Sequence, residues 1–177
     1  MKVISALKRS NPSVIEWTYS KYIYKNLDNF RETMDGMIQK LHSNKSLIYH
    51  YHRVLCSNLR AFFDRKDKVL RKKYFFVLMP VFNLLYLLNN NTCIICPDFN
   101  ELMKKIDIPD DIELIIKNLV KDKKSGKSNI IDNKINDLDI WIYSVKEYVE
   151  SKIYVKSKKK LDVEIKSAAS TYYHYSK

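Results

Sequence analysis

The sequence predicts an all-α protein, a single compact bundle of about seven helices around one buried apolar helix. Three observations carry that expectation. Two Gly and four Pro in 177 residues are too few turn formers for a many-stranded β architecture. Apolar residues recur at three- and four-residue steps along most of the chain, which is the period of a helix with one face in a core. The stretch from Tyr74 to Leu88, YFFVLMPVFNLLYLL, is apolar on every side, so it must be buried all round or lie in lipid.

The elements follow in order. Asn11, Pro12 and Ser13 open a helix whose apolar face is Val14, Trp17, Tyr22 and Tyr24 and which should end near Asn26. Asp28 or Asn29 caps a second helix, in which Phe30, Met34, Met37, Ile38 and Leu41 form an amphipathic stripe. Ser46 caps a third, carried by Ile48, Tyr51, Leu55, Leu59 and Phe62. The fifteen residues from Tyr74 to Leu88 would span roughly 22 Å as a helix, short of the ~30 Å hydrocarbon core of a bilayer. Pro80 would also free a carbonyl that lipid cannot satisfy. The expectation is therefore a central core helix, with no stable membrane insertion.

Asp98 with Glu101, and Asp110 with Glu113, each following a proline, write two further helix starts in the grammar of the capping box. Lys121 to Asn129 reads as a solvated loop, followed by a long helix on Ile131, Ile135, Leu138, Ile142, Val145 and Val149. Residues 1–155 are expected to form the helical domain. Residues 156–177, with Lys158, Lys159 and Lys160, read as a Lys-rich C-terminal arm or tail that is mobile or orders on a partner.

Thirty-two Lys and Arg against 20 Asp and Glu give a net charge of +12, a field that draws polyanions toward the surface. The strongest local signal runs from Arg53 to Lys73. Arg60, Arg65, Lys66, Lys68, Arg71, Lys72 and Lys73 lie there, opposed only by Asp64 and Asp67. On a helix, Arg65, Lys68 and Lys72 share a face that could follow a phosphate backbone, with Phe62, Phe63 and Tyr74 near enough to stack on bases. The competing reading is a solvated face beside a greasy helix, with those rings in the core and the aspartates pairing across turns with Arg60 and Arg71.

Catalytic signatures are scarce. Ser125-Gly126-Lys127-Ser128 resembles the end of a phosphate-binding loop, but Lys121 stands where the first glycine is needed. His50 and His52 would point about 200° apart on a helix, and no arginine has a histidine at the downstream spacing that helical nucleases use. Neither a nucleophile beside a base nor a pair of carboxylates is apparent, so no enzyme is expected. Cys93 and Cys96, with His52 and Cys56 from one helical face, could compose a Cys₃His zinc site. Free cysteine packs as readily as a small hydrophobe, and no metal or other cofactor is expected.

Three cysteines are too few for a disulfide framework, and no secretion signal is visible, which suits a reducing intracellular compartment such as cytoplasm or nucleus. The function these observations imply is non-enzymatic binding of nucleic acid or a ribonucleoprotein, with low sequence specificity. The residues that would grip phosphate are Arg60, Arg65, Lys66, Lys68, Arg71, Lys72 and Lys73, with Lys158, Lys159 and Lys160 in the arm. An apolar helix inside a shell of amphipathic ones also resembles, in architecture, the apoptosis-regulator-type bundles encoded by large DNA viruses. Their Asn-Trp-Gly-Arg signature is absent, since neither Trp17 nor Trp141 precedes a glycine. That resemblance implies the alternative, a viral or phage-encoded interaction module that inhibits a host factor by taking a partner helix in an apolar groove. Self-association through exposed aromatic surface is a third course.

Overall fold

The computed structural model describes residues 2–9, 11–20, 22, 29–92 and 95–153. The chain runs through α1 (Lys2–Lys8), α2 (Pro12–Thr18), α3 (Phe30–Leu41), α4 (Asn44–Phe62), β1 (Lys68–Leu70), α5 (Lys72–Asn90), α6 (Phe99–Met103) and α7 (Asp110–Lys124). A 3₁₀ turn (Lys127–Asn129), β2 (Ile131–Asn133) and α8 (136–153) complete it. The bundle is all-α as expected, with a two-stranded ribbon as its one sheet among the described residues.

Helix α5 is the axis. Val77, Leu78, Val81, Phe82 and Leu84 are wholly enclosed, and Tyr74 and Leu87 nearly so. It is not buried all round, because Phe76 is half exposed and Phe75, Met79 and Tyr86 are partly covered. No helix among the described residues is long and apolar enough to cross a membrane. Helix α4 packs along α5 through Leu47, Ile48, Tyr51, Leu55 and Leu59.

Two asparagines of α4 bind the main chain of α5. Pro80 has no N–H to give the carbonyl of Phe76, the partner four residues back; Asn58 Nδ2 donates to that oxygen instead, at 2.6 Å. At the other end Asn44 Nδ2 donates to the carbonyls of Leu87, at 3.2 Å, and Thr92, at 2.8 Å. The Leu87 carbonyl lies in the last turn of α5, where a helix leaves its acceptors without partners of its own.

Several helix boundaries differ from the sequence reading. Asn11 caps α2 by accepting from the Ser13 N–H, but α2 ends at Thr18 and buries Val14, Ile15 and Thr18. Trp17 and Tyr22 point outward, 74% and 83% exposed, and Tyr24 and Asn26 lie outside the described residues. Asn29 precedes α3 in the left-handed region without a side-chain cap. Ser43, not Ser46, caps α4; its hydroxyl accepts from the Ser46 N–H. Asp98 caps α6 as expected, by accepting from the Glu101 N–H, whereas α7 starts after Pro109 with Asp110 already inside the first turn. Helix α7 continues to Lys124, into the stretch read as loop.

The ribbon is the main departure. Lys68, Val69 and Leu70 pair antiparallel with Asn133, Asp132 and Ile131, so Ile131 belongs to a strand and α8 begins five residues later. The Arg71 N–H donates to the Ile130 carbonyl and the Lys134 N–H to the Asp67 carbonyl, extending the pairing at both ends. β-branched and aliphatic side chains favour such pairing when one face can be covered, and Val69 is the buried one.

Tyr74 ties the ribbon's exit to α5: its hydroxyl accepts from the Ile135 N–H at 2.8 Å and donates to Asp139 Oδ1 at 3.0 Å. Burial holds the Asp139 carboxyl above the ordinary carboxylate value, against the opposing pull of the Tyr74 hydroxyl and Lys134. The folded chain therefore keeps that proton to higher pH than the unfolded chain, and stability attributable to this group falls as pH rises through the carboxylate range. Asp139→Asn retains an acceptor for Tyr74 and removes the ionisation. Thermal melts from pH 4 to 7 should show a flatter pH dependence for the variant, with a Tm at pH 7 no lower than that of the parent. A lower Tm at both ends of that range would mean the carboxylate itself is needed.

Candidate nucleic-acid interface

The basic segment is not one helical face. It passes from the last turn of α4 (Arg60) through a turn (Arg65, Lys66) into β1 (Lys68) and the start of α5 (Arg71, Lys72, Lys73). Arg65 takes the left-handed conformation, φ 58°, which turns the chain back so that Lys66 Nζ reaches the Ala61 carbonyl at 2.7 Å. The helical spacing of Arg65, Lys68 and Lys72 is therefore lost; the three are gathered at a corner made of helix end, turn and strand.

Two of the expected cations are committed elsewhere. Arg71 reaches Asp122 of α7 through one guanidinium nitrogen and Asp132 of β2 through the other, the latter at 2.6 Å. The hydrogen bonds that Arg71 donates to Asp132 and Asp122 raise its pKa, and the same contact holds the Asp132 carboxyl below its ordinary value. The pairing of Arg71 across a turn with Asp67 is thus corrected: its partners lie 51 and 61 residues away. Asp122 and Asp132 both meet this one guanidinium. Lys73 Nζ lies 3.8 Å from the ring centre of Phe62 and 4.7 Å from that of Phe76, a cation–π site.

Arg60, Arg65, Lys66 and Lys68 are exposed and Lys72 partly so. None of them makes an ion pair with another described residue. Asp64 does not oppose Arg60 but accepts from the Tyr143 hydroxyl at 2.9 Å. Phe63 and Tyr74 are buried edge to face, 4.9 Å between centres, so neither can stack on a base. Phe76 is the most exposed of the rings in this segment, with Phe62 partly covered beside it. Lys158, Lys159 and Lys160 lie outside the described residues.

The zinc arrangement weighed from sequence assembles differently. His52 and Cys56 do share a face of α4, and their third neighbour is Glu150 of α8: Nε2, Sγ and a carboxylate oxygen lie within 4.8 Å of one another. Cys96 is not in this group; its thiol faces the Asp98 carbonyl at 3.7 Å, and Cys93 is outside the described residues. Glu150 accepts from Lys146 Nζ at 2.9 Å and meets His52 Nε2 at 3.0 Å. Burial pushes the Cys56 thiol up, keeping it protonated at neutral pH. A divalent cation could be held here by His52, Cys56 and Glu150 after displacing Lys146 and the thiol proton. Both Cys56 and Glu150 approach the same imidazole nitrogen, so the trio lacks the relay through two ring nitrogens that an activated nucleophile uses.

The described residues form a basic all-α protein with a run of cations where α4, the ribbon and α5 meet. Residues 1–172 match the family described as RlaP, RNA repair pathway DNA polymerase beta family, and the chain belongs to that family. Among curated proteins it is 24% identical over 161 residues to the uncharacterized protein YcgL of Bacillus subtilis strain 168, covering 90% of this chain. The chain spans 61% of that relative's length. No solved structure matches it. The family's description names a polymerase, a relation to enzymes that the sequence by itself does not suggest.

Proposed function

We propose that this chain is an RNA-binding helical part of an RNA-repair protein, gripping the phosphate backbone with little regard to sequence. The observation that carries the reading is the cluster of exposed cations at the α4–β1–α5 corner, Arg60, Arg65, Lys66 and Lys68 with Lys72 beside them, none of which makes an ion pair with another described residue. Membership in a family described by RNA repair favours RNA as the polyanion. Arg71 and Lys73 serve this surface indirectly: one locks the ribbon against α7, and the other spreads over two rings. The part assigned to the chain is holding the strand, since the convergent carboxylates Asp122 and Asp132 are taken up by Arg71. Free thiols at Cys56 and Cys96 suit a reducing, intracellular setting.

A salt titration tests this. Fluorescence anisotropy with a labelled single-stranded RNA should give log K falling linearly with log salt, with a slope of about −2 to −4 for three to five phosphate contacts. Scrambling the RNA sequence should leave the affinity nearly unchanged. No binding at low salt would overturn the proposal.

A further inference from the structure

A second basic site lies away from this corner. The end of α1, the start of α2 and the outer face of α4 enclose a cleft of about 450 Å³ lined by Arg9, Asn11, Ser46, Tyr49, His50 and Arg53, with Pro12 as its one apolar member. That volume falls within the range of small-ligand sites. Among the described residues the lining chemistry is one-sided: two guanidinium groups, an imidazole, an amide, an aliphatic hydroxyl and a phenol, with no carboxylate among them. Such a cleft is a poor host for a cation or an apolar helix. It suits an anion with several acceptor oxygens, because a guanidinium donates to phosphate through two parallel N–H groups.

The supporting geometry is specific. Asn11 uses Oδ1 to accept from the Ser13 N–H at 3.0 Å, so its amide nitrogen is the end able to donate outward. His50 packs edge-on to Tyr51, 5.3 Å between centres. Burial holds its pKa below the ordinary value against the pull of Glu16, with Arg53 adding to the lowering. Arg9 and Arg53 make no ion pair with another described residue, and both line this cleft.

We propose that this cleft binds a phosphate monoester, either the phosphorylated end of an RNA strand or the phosphate of a free nucleotide. The RNA-end form rests on the RNA-binding reading above; the nucleotide form does not. Binding is measured with one short single-stranded RNA prepared with a 5′-phosphate, with a 3′-phosphate, or with hydroxyls at both ends, and in parallel by the effect of AMP and inorganic phosphate on Tm. One phosphorylated RNA should bind about five- to tenfold more tightly than the hydroxyl-ended RNA. Arg53→Gln and Arg9→Gln should each abolish that preference while changing affinity for the hydroxyl-ended RNA by less than about threefold.

If the three RNAs bind alike and neither AMP nor phosphate raises Tm, the cleft assignment is overturned while the RNA reading stands. If no RNA binds but AMP raises the Tm of the parent and not of Arg53→Gln, the RNA reading falls and the cleft stands as a nucleotide site. A preference for phosphorylated RNA that survives both substitutions also overturns the assignment.

Discussion

Phe82→Ala should destabilise the chain by about 3–5 kcal/mol, the usual cost of emptying an aromatic site in a core that cannot collapse around it. Phe82 has no exposed surface. Its ring lies 4.9 Å from that of Phe99, which also meets Phe75 of the same helix at 5.4 Å, so the deletion removes one of the two ring contacts between the axis and α6. Domains commonly hold only 5–15 kcal/mol of stability, and the variant should therefore unfold at far lower urea concentration, with an unchanged m-value. Its Tm should fall by roughly 2–4 °C for each kcal/mol lost. A loss below about 1 kcal/mol would mean that the α5–α6 contact is not a packed core.

The second large effect concerns binding. Reversing Arg65, Lys66 and Lys68 together to glutamate should weaken RNA binding on the order of a hundredfold at low salt and lower the salt slope by about one for each phosphate contact removed. The three side chains are exposed, and the hydrogen bond that ties one of them to the fold runs from Lys66 to a main-chain carbonyl. Tm should accordingly shift little, which separates lost affinity from lost structure. Lys40→Glu on α3 is the control and should change the affinity by less than about threefold, as a long-range charge effect screened by salt. Equal losses from the triple variant and the control would show that the corner has no special part in gripping RNA.

The sequence disclosed what depends on short-range periodicity. Met34 and Ile38 of α3, and Ile48, Tyr51, Leu55 and Leu59 of α4, are buried in the register that their spacing gives, because a helix has one period and only one face was apolar. Asn11 and Asp98 cap as read, since each is followed by the backbone N–H it accepts from. Ile131 misled because an isoleucine that continues a helical stripe also suits a strand; the choice was made by Val69 and Leu70, some sixty residues earlier in the chain, which supply the partner. The basic segment showed its charge and hid its shape. Nothing local distinguishes Arg71, which meets two aspartates contributed by α7 and β2, from Lys68, which faces water. The cleft was hidden for the same reason: Arg9 and Arg53 come to line one cleft only once the chain has folded, 44 residues separating them. Helix α1 itself is short and carries one enclosed residue, Leu7, too little for a periodic signal.

The two asparagines of α4 have a consequence beyond the oxygens they satisfy. Asn44 and Asn58 grip α5 at Leu87 and Phe76, two pegs near opposite ends of one contact, and the residue numbers run in opposing senses. Sliding one helix past the other by a single residue would move its groups about 1.5 Å along the axis and turn them about 100°, pulling both pegs out at once. An apolar seam alone would tolerate several alignments. Here direction and phase are keyed by amides, and the proline that breaks the ladder of the axis is what gives one of them its slot.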